Sequence, residues 1–257
     1  MNILVLSDLH IGTRDNIGTF QWDEMDFIMH VERLREIYKI DRIIFNGDVF
    51  ELLKYTFEDI AAAHPILIDY FNDKDFFFIK GNHDIVNYSG QHSFDITNSS
   101  GQKIHIEHGH DADWINGTKI GRSISKLILL FFKNMSNFKS VLKIYFRINA
   151  FLDPVNKIPK RYNTLKYLSY GLKLLKDYDV VILAHTHKLE SHHTYYLHKK
   201  KRYLNSGTCS LGRLQGIVMD TETLKYDLIK ENSDKKGFLF RTSSREKEIS
   251  PELLSGY

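Results

Sequence analysis

One cysteine, Cys209, serves all 257 residues. That scarcity excludes an intramolecular disulfide and any thiolate-rich zinc site, and it points to a reducing compartment. No uninterrupted apolar run approaches the ~18 residues that a membrane-spanning helix requires. The N-terminus enters Ile3-Leu4-Val5-Leu6 directly, with no basic region ahead of a hydrophobic one, so no signal peptide is expected. The expected location is therefore cytoplasmic, at most peripheral to the inner face of the membrane. Acidic residues are scarce in one stretch in particular. Between Gly117 and Lys176 stand 13 Lys and Arg against a single acid, Asp153, a local balance of +12. The whole chain carries only +3, so the remaining 22 basic and 31 acidic residues hold the rest at −9. Such polarity suggests an anionic partner docking on the 117–176 segment.

The length suffices for one large domain with a full core. Strand-like runs alternate with helical patterns in the first half. Phe27, Val31, Leu34 and Tyr38 mark an amphipathic helix between the apolar runs at 3–6 and 43–45. Phe57, Ile60, Ala61, His64, Leu67, Ile68 and Phe71 mark another before Phe76–Ile79. This βαβαβ order predicts mostly parallel strands with helices on the sheet faces. The 117–152 region reads as Lys-rich helices, broken by Pro154 and Pro159, and Leu165–Leu175 as a further helix leading back to the core. Short strands are expected near 194–197, 203–205, 216–219 and 226–229, with a hairpin turn at Asp220-Thr221-Glu222-Thr223. The expected organisation is a domain over 1–230 carrying a basic helical insertion at 117–176. A polar tail over 231–257, partly disordered, completes the chain.

Five short motifs each follow an apolar run: Asp8-Leu9-His10, Gly47-Asp48-Val49-Phe50-Glu51, Gly81-Asn82-His83-Asp84, His108-Gly109-His110 and Ala184-His185-Thr186-His187. In open α/β sheets, ligands bind beyond the carboxyl ends of the strands, where loops converge. Five strand ends delivering Asp, Asn and His to one edge describe a metal site assembled by the fold. Phosphate chemistry near neutral pH benefits from two metal ions about 3.5–4 Å apart, which lower the pKa of a bridging water and clamp the attacking and leaving oxygens. Asp48, in a tight Gly-Asp turn, is the natural bridge. Asp8 and His10 can reach one ion together, Asn82 offers an amide oxygen, and His108, His185 and His187 offer nitrogens. Nitrogen and oxygen without sulfur suit Mn, Fe, Zn or Co better than Mg or Ca, with Mn the first expectation for a pair of divalent ions. His83 stands beside these ligands and is expected to protonate a leaving group or to steady the phosphoryl oxygens, a general acid of this kind contributing ~10²–10⁴-fold in rate. Asp84 is expected to orient its ring.

In this order the motifs resemble the calcineurin-like metallophosphoesterase superfamily, over roughly Met1 to Ile229. The resemblance implies a four-layer α/β/β/α sandwich with a helical cap insertion around a di-metal centre, and a hydrolase acting on phosphodiester, phosphomonoester or pyrophosphate bonds. It implies that Asp8, His10, Asp48 and His187 bind one metal, that Asp48, Asn82, His108 and His185 bind the other, and that His83 is the catalytic histidine. Within the superfamily, Gly-Asp-Val-Phe-Glu, His-Gly-His-Asp-Ala-Asp at 108–113, the basic insertion and Tyr203-Leu204-Asn205-Ser206-Gly207-Thr208 look most similar to the UDP-2,3-diacylglucosamine pyrophosphatases and their relatives. Departures are Ala184 where the family often has Gly, and His83 and His110 where many of that group carry Arg and Asp. The implied substrate is a nucleotide-linked, amphiphilic phosphate ester. A nuclease or cyclic-nucleotide phosphodiesterase with the +12 segment tracking a phosphate backbone is the alternative, and a non-catalytic scaffold binding membrane or a partner protein a third.

Taken singly, Asp8 or Asp48 is an ordinary turn residue, and only the joint pattern makes either a ligand. Glu51 reads as a residue that holds a loop or hydrogen-bonds to a ligand rather than binding metal. His110 and Asp113 divide evenly between substrate contact and local structure. Arg122 and Arg147 are candidate phosphate contacts. The cap itself is expected to lie on an anionic membrane surface or to shape a cleft for acyl chains.

Overall fold

The computed structural model describes residues 1–84, 90–112, 118–152, 161–232 and 247–248. β1 (Asn2–Leu6), β2 (Arg42–Asn46), β3 (Phe77–Ile79), β9 (Arg213–Asp220) and β10 (Tyr226–Asn232) form one sheet in the order β10-β9-β1-β2-β3. The second sheet comprises β4 (Ser93–Thr97), β5 (Lys103–Glu107), β6 (Val180–Leu183), β7 (Leu189–Tyr196), β8 (Lys199–Ser206) and β11 (Lys247–Glu248), in the order β11-β7-β8-β6-β5-β4. The βαβαβ half is parallel as its pattern predicts: β1 pairs with β2 and β2 with β3 in that sense, and β5-β6-β8 repeat it in the other sheet.

The period-2 alternation of the strands builds the layers. Ile3, Val5 and Ile44 face Ile104, Ile106, Val180 and Ile182 of the opposite sheet and fill the space between the two. Their neighbours Leu4, Leu6, Ile43 and Phe45 point the other way, against α1 (Glu24–Tyr38) and α3 (Pro65–Asp73). α1 starts where the Asp23 carboxylate accepts from the Met25 N–H at 2.9 Å. It ends at Lys39, whose φ of 49° stops the helix, and it buries Phe27, Val31 and Leu34. On the far face α6 (Arg161–Leu174) packs Leu168 and Leu172 on Val181, Leu183 and Tyr203. Gly171 permits that approach, because a Cβ there would lie 2.4 Å from the Tyr203 ring. Helix, sheet, sheet and helix thus form four layers. Each fully buried Leu or Phe in them contributes ~1.5–3 kcal/mol.

Three details differ from the sequence reading. The helical pattern over 57–71 is two helices, α2 (Phe57–Ala63) and α3, because His64 precedes Pro65 and adopts φ −134°, ψ 57°. Proline bars the preceding residue from helical backbone, and it starts the next helix well. β4 carries an alternation too mixed to announce itself. Part of the expected tail is ordered into the sheets: β10 runs to Asn232, and Lys247–Glu248 pair in parallel with His192–His193 of β7. The disorder expected elsewhere in the tail falls on residues outside those described, as do Pro154, Pro159 and Asp113.

The insertion forms α4 (Lys119–Asn134) and α5 (Lys139–Leu152), joined by a short turn and touching where the Phe132 and Tyr145 rings lie 5.4 Å apart. Its final helix, α6, is a core layer rather than a cap. Among the described residues no helix is long and apolar enough to cross a membrane.

Candidate metal centre

Five of the seven candidate ligands occupy left-handed backbone: Asp8, His10, Asp48, His185 and His187 have φ between 49° and 65°. For residues with a Cβ this conformation is costly, and it concentrates where function demands it. Here it turns the chain sharply at the ends of β1, β2 and β6, so that residues i and i+2 present side chains to one point. The loops then brace each other. The Asp8 N–H donates to Gly47 O at 3.0 Å, and that of His10 to Asp48 O at 2.9 Å. Asp84 ties in the third loop, its carboxylate accepting from the backbone of Val49 at 2.7 Å and of Gly81 at 2.5 Å.

Asp48 lies at the middle of the cluster and is 1% exposed. Its Oδ2 is 3.3 Å from His108 Nε2 and 3.8 Å from His10 Nε2, while its Oδ1 accepts the His83 N–H at 2.8 Å. On one side, Asp8 Oδ1 is 3.0 Å from His187 Nε2, which faces His10 Nε2 at 3.2 Å. On the other, His185 Nδ1 is 3.3 Å from His108 Nε2. His108 donates its Nδ1 hydrogen to Asn46 O at 2.8 Å, which aims Nε2 at Asp48. Donor atoms of Asp8, His10 and His187 lie within 4.8 Å of one another, as do those of Asp48, His108 and His185, and those of His10, Asp48 and His83. Asn82, next to His83 in the chain, buries its amide oxygen with no hydrogen-bond partner among the described residues.

Burial alone would raise the Asp8 and Asp48 carboxyls. The facing imidazoles outweigh it and pull Asp8 down to about 2 and Asp48 well below the usual carboxylate range. The same contacts, against the pull of burial, lift His108 to about 10. His185 moves the opposite way, to about 3, because burial and the charge on His108 both oppose its protonation. Lone pairs converging on buried carboxylates form a site that a divalent cation fits, in competition with protons. The nitrogen and oxygen donors suit Mn, Fe, Zn or Co. Asp48 is confined from behind: a Cβ on Gly81 would lie 2.1 Å from its Oδ1 and 2.3 Å from its backbone nitrogen. Gly81→Ala should therefore displace Asp48, lowering both the thermal midpoint and the stabilisation gained from added Mn. A variant whose melting curves match the native ones, with and without metal, would overturn this.

The residue that orients His83 is Glu51, which corrects the expectation for Asp84. Glu51 Oε1 is 2.7 Å from His83 Nδ1, whereas the Asp84 carboxylate is taken up by backbone N–H groups. Burial, and then Asp48, raise Asp84 to about 7. Burial would lower the His83 ring too, but Glu51 and Asp48 hold it up to about 9. Glu51 also comes within 3.5 Å of His10 Nδ1 and 3.3 Å of Lys54 Nζ. Lys54, 4% exposed, in turn donates to the Tyr145 hydroxyl of α5 at 3.1 Å. A path of polar contacts thus joins His83 to the insertion through Glu51, Lys54 and Tyr145. Lys54 and Tyr145 were not legible as site residues. The lysine inside Leu52-Leu53-Lys54-Tyr55 was the one signal, since a charged residue in an apolar run must find a buried partner.

The other candidates are placed less centrally. His110 is 2% exposed, its ring 5.5 Å from that of His108, and burial followed by the His108 charge pushes it down to about 4. It is packed behind a candidate ligand rather than presented to solvent. Arg147 is exposed on α5. Arg122 lies on α4, and its side chain is outside those described.

Residues 1–189 match the sequence model of a family described as calcineurin-like phosphoesterase. No curated protein sequence matches the chain. Solved structures with similar folds include a dimetal phosphatase from Danio rerio (9% identity, TM-score 0.49, 95% of this chain and 99% of that one). Vps29 complexed with zinc from Entamoeba histolytica is another (16%, TM-score 0.44, 95% and 98%). A predicted phosphoesterase from Streptococcus pneumoniae is a third (16%, TM-score 0.37, 95% and 97%). The sequence match is the finding that carries weight.

Proposed function

Because the chain belongs to the calcineurin-like phosphoesterase family, we propose that it hydrolyses a phosphoanhydride or phosphodiester bond at the cluster around Asp48. The observation that carries this reading is the convergence of Asp8, His10 and His187 on one side of Asp48, and of His108 and His185 on the other. Asp8, His10, Asp48 and His187 would hold one divalent ion and Asp48, Asn82, His108 and His185 a second. Such a pair supplies Lewis-acid polarisation of the phosphoryl oxygens and a nucleophile at neutral pH. The chain's own contribution is positioning and proton transfer. His83, held by Glu51, keeps a proton on the ring beside the metal ligands and is placed to give it to the departing oxygen.

The substrate class we propose is a nucleotide-linked amphiphile of the UDP-diacylglucosamine kind, with Mn as the working metal. Its support is the neighbourhood of the cluster. The insertion that reaches Glu51 through Tyr145 and Lys54 is both basic and rich in exposed apolar side chains. A polynucleotide substrate is favoured by the same charge, but a groove for a phosphate backbone calls for cations along its surface. α4 exposes Ile120, Leu127 and Phe131 beside the exposed cations of the insertion, and a phosphate backbone has no use for such an apolar stripe. The experiment is hydrolysis of UDP-2,3-diacylglucosamine by Mn-loaded protein, read by mass spectrometry beside bis-p-nitrophenyl phosphate. Release of UMP and the acylated sugar phosphate supports the full reading. Turnover of the aryl diester alone retains the reaction class and discards the lipid, while inertness toward both discards the phosphoesterase.

A further inference from the structure

Nine of the seventeen large hydrophobic side chains exposed among the described residues fall between Ile120 and Ile148. On α4 they are Ile120, Ile124, Leu127, Ile128 and Phe131, spaced i, i+4, i+7, i+8 and i+11, and each is between 49% and 68% exposed. That spacing places all five on a single face about 100° wide. An amphipathic helix ordinarily turns such a face to the core, as α1 does with Phe27, Val31 and Leu34. α4 is mounted the other way. Its Lys133 points inward, donating to Lys54 O at 2.8 Å and lying 4.5 Å from the centre of the Tyr55 ring. The apolar face is thus held outward by contacts on the opposite side.

α5, the other arm of the hairpin, also exposes apolar side chains. Ile144 and Ile148 are exposed one turn apart, and Phe138 is 57% exposed in the turn between the helices. Beside the isoleucines runs a second row, Lys139, Lys143 and Arg147, spaced i, i+4 and i+8 and likewise exposed. A hairpin that exposes both an apolar stripe and a cationic row matches one kind of surface in both respects. Acyl chains take up the stripe, and anionic headgroups pair with the row. A second copy of this chain fits the stripe but not the charge, since it would bring two segments of +12 together.

We propose that the α4–α5 hairpin docks the protein on an anionic lipid bilayer, the helices lying in the interface with the 120–131 face inserted and Lys139, Lys143 and Arg147 against the headgroups. The proposal is independent of the reaction catalysed. Docking brings the membrane to the Tyr145 end of the Tyr145–Lys54–Glu51–His83 path, so the cluster would work close to a lipid surface.

The test is co-sedimentation of the full chain with vesicles of phosphatidylglycerol and phosphatidylcholine in equal parts, beside phosphatidylcholine alone. The native protein should bind the mixed vesicles and leave the neutral ones in the supernatant. A Leu127→Ser/Phe131→Ser variant should lose about tenfold or more of that affinity, since two inserted apolar side chains are removed. A Lys139→Gln/Lys143→Gln variant should lose the preference for phosphatidylglycerol. All four substituted positions are solvent-exposed, so both variants should melt as the native protein does, and melting curves separate a lost contact from a lost fold. Absence of native binding to mixed vesicles would overturn the proposal, as would folded variants that bind undiminished. A native dimer that Leu127→Ser/Phe131→Ser converts to monomer would overturn it as well, by assigning the face to a second copy.

Discussion

Asp48→Asn should lower metal-dependent hydrolysis by on the order of a thousandfold, the loss expected when ~4 kcal/mol of transition-state stabilisation disappears. The substitution is nearly isosteric, and Asn tolerates the left-handed backbone of this position, φ 52°, as readily as Asp. The Asn amide oxygen can still accept the His83 N–H that Asp48 Oδ1 now accepts at 2.8 Å. What vanishes is the negative charge between His108 at 3.3 Å and His10 at 3.8 Å, the one charge shared by both halves of the candidate ligand set. The loss should therefore appear in metal content as well as in rate. Elemental analysis after dialysis against Mn, alongside turnover of bis-p-nitrophenyl phosphate, measures both. Native-like stoichiometry with activity within tenfold of the native protein would show that Asp48 is not the bridge.

His83→Ala should cost ~10²–10⁴-fold in turnover with little change in bound metal, as removal of a proton donor does. Glu51→Gln gives a second readout of the same assignment. A general acid acts in its protonated form, so rate falls as pH rises through the pKa of the ring. Burial disfavours the charged ring, and the Glu51 carboxylate at 2.7 Å is the largest of the opposing forces that hold it protonated. With that charge gone the pKa falls, and the alkaline limb of the kcat profile should move to lower pH. If Glu51 only braces the loop, the variant will lose rate evenly across the profile. An unmoved alkaline limb would therefore remove His83 as the acid held by Glu51.

The sequence announced the cluster because its residues sit at strand ends, where local patterns repeat: an apolar run, then Asp, Asn or His within three residues. It announced the parallel βαβαβ half for the same reason, since periodicity is a local property. What it withheld depends on contacts between distant segments. Glu51 could be read as a residue supporting a ligand, but its partner's neighbour, Tyr145, lies 91 positions from Lys54. The role of Asp84 was misread because adjacency in sequence to His83 suggested a contact, whereas the carboxylate turns back to the amides of Val49 and Gly81. The apolar periodicity of α4 was plain, yet periodicity defines a face without saying which way it is turned. That is set by Lys133 and Tyr145, which fasten the hairpin to the 54–55 segment.

Lys54 links two parts of the protein that evolution or an engineer would otherwise treat as separable. Its ammonium is buried, and burial opposes its charge, but Glu51 and then Tyr145 outweigh that and raise its pKa. Exchanging the helical hairpin for that of another protein would remove the phenol oxygen and leave an enclosed cation relying on a carboxylate already engaged with two imidazoles. Positions 54 and 145 should thus drift as a pair. A chimaera with a foreign hairpin would need Lys54 altered in the same step, because the carboxylate beside His83 and the phenol of the hairpin meet at this one ammonium.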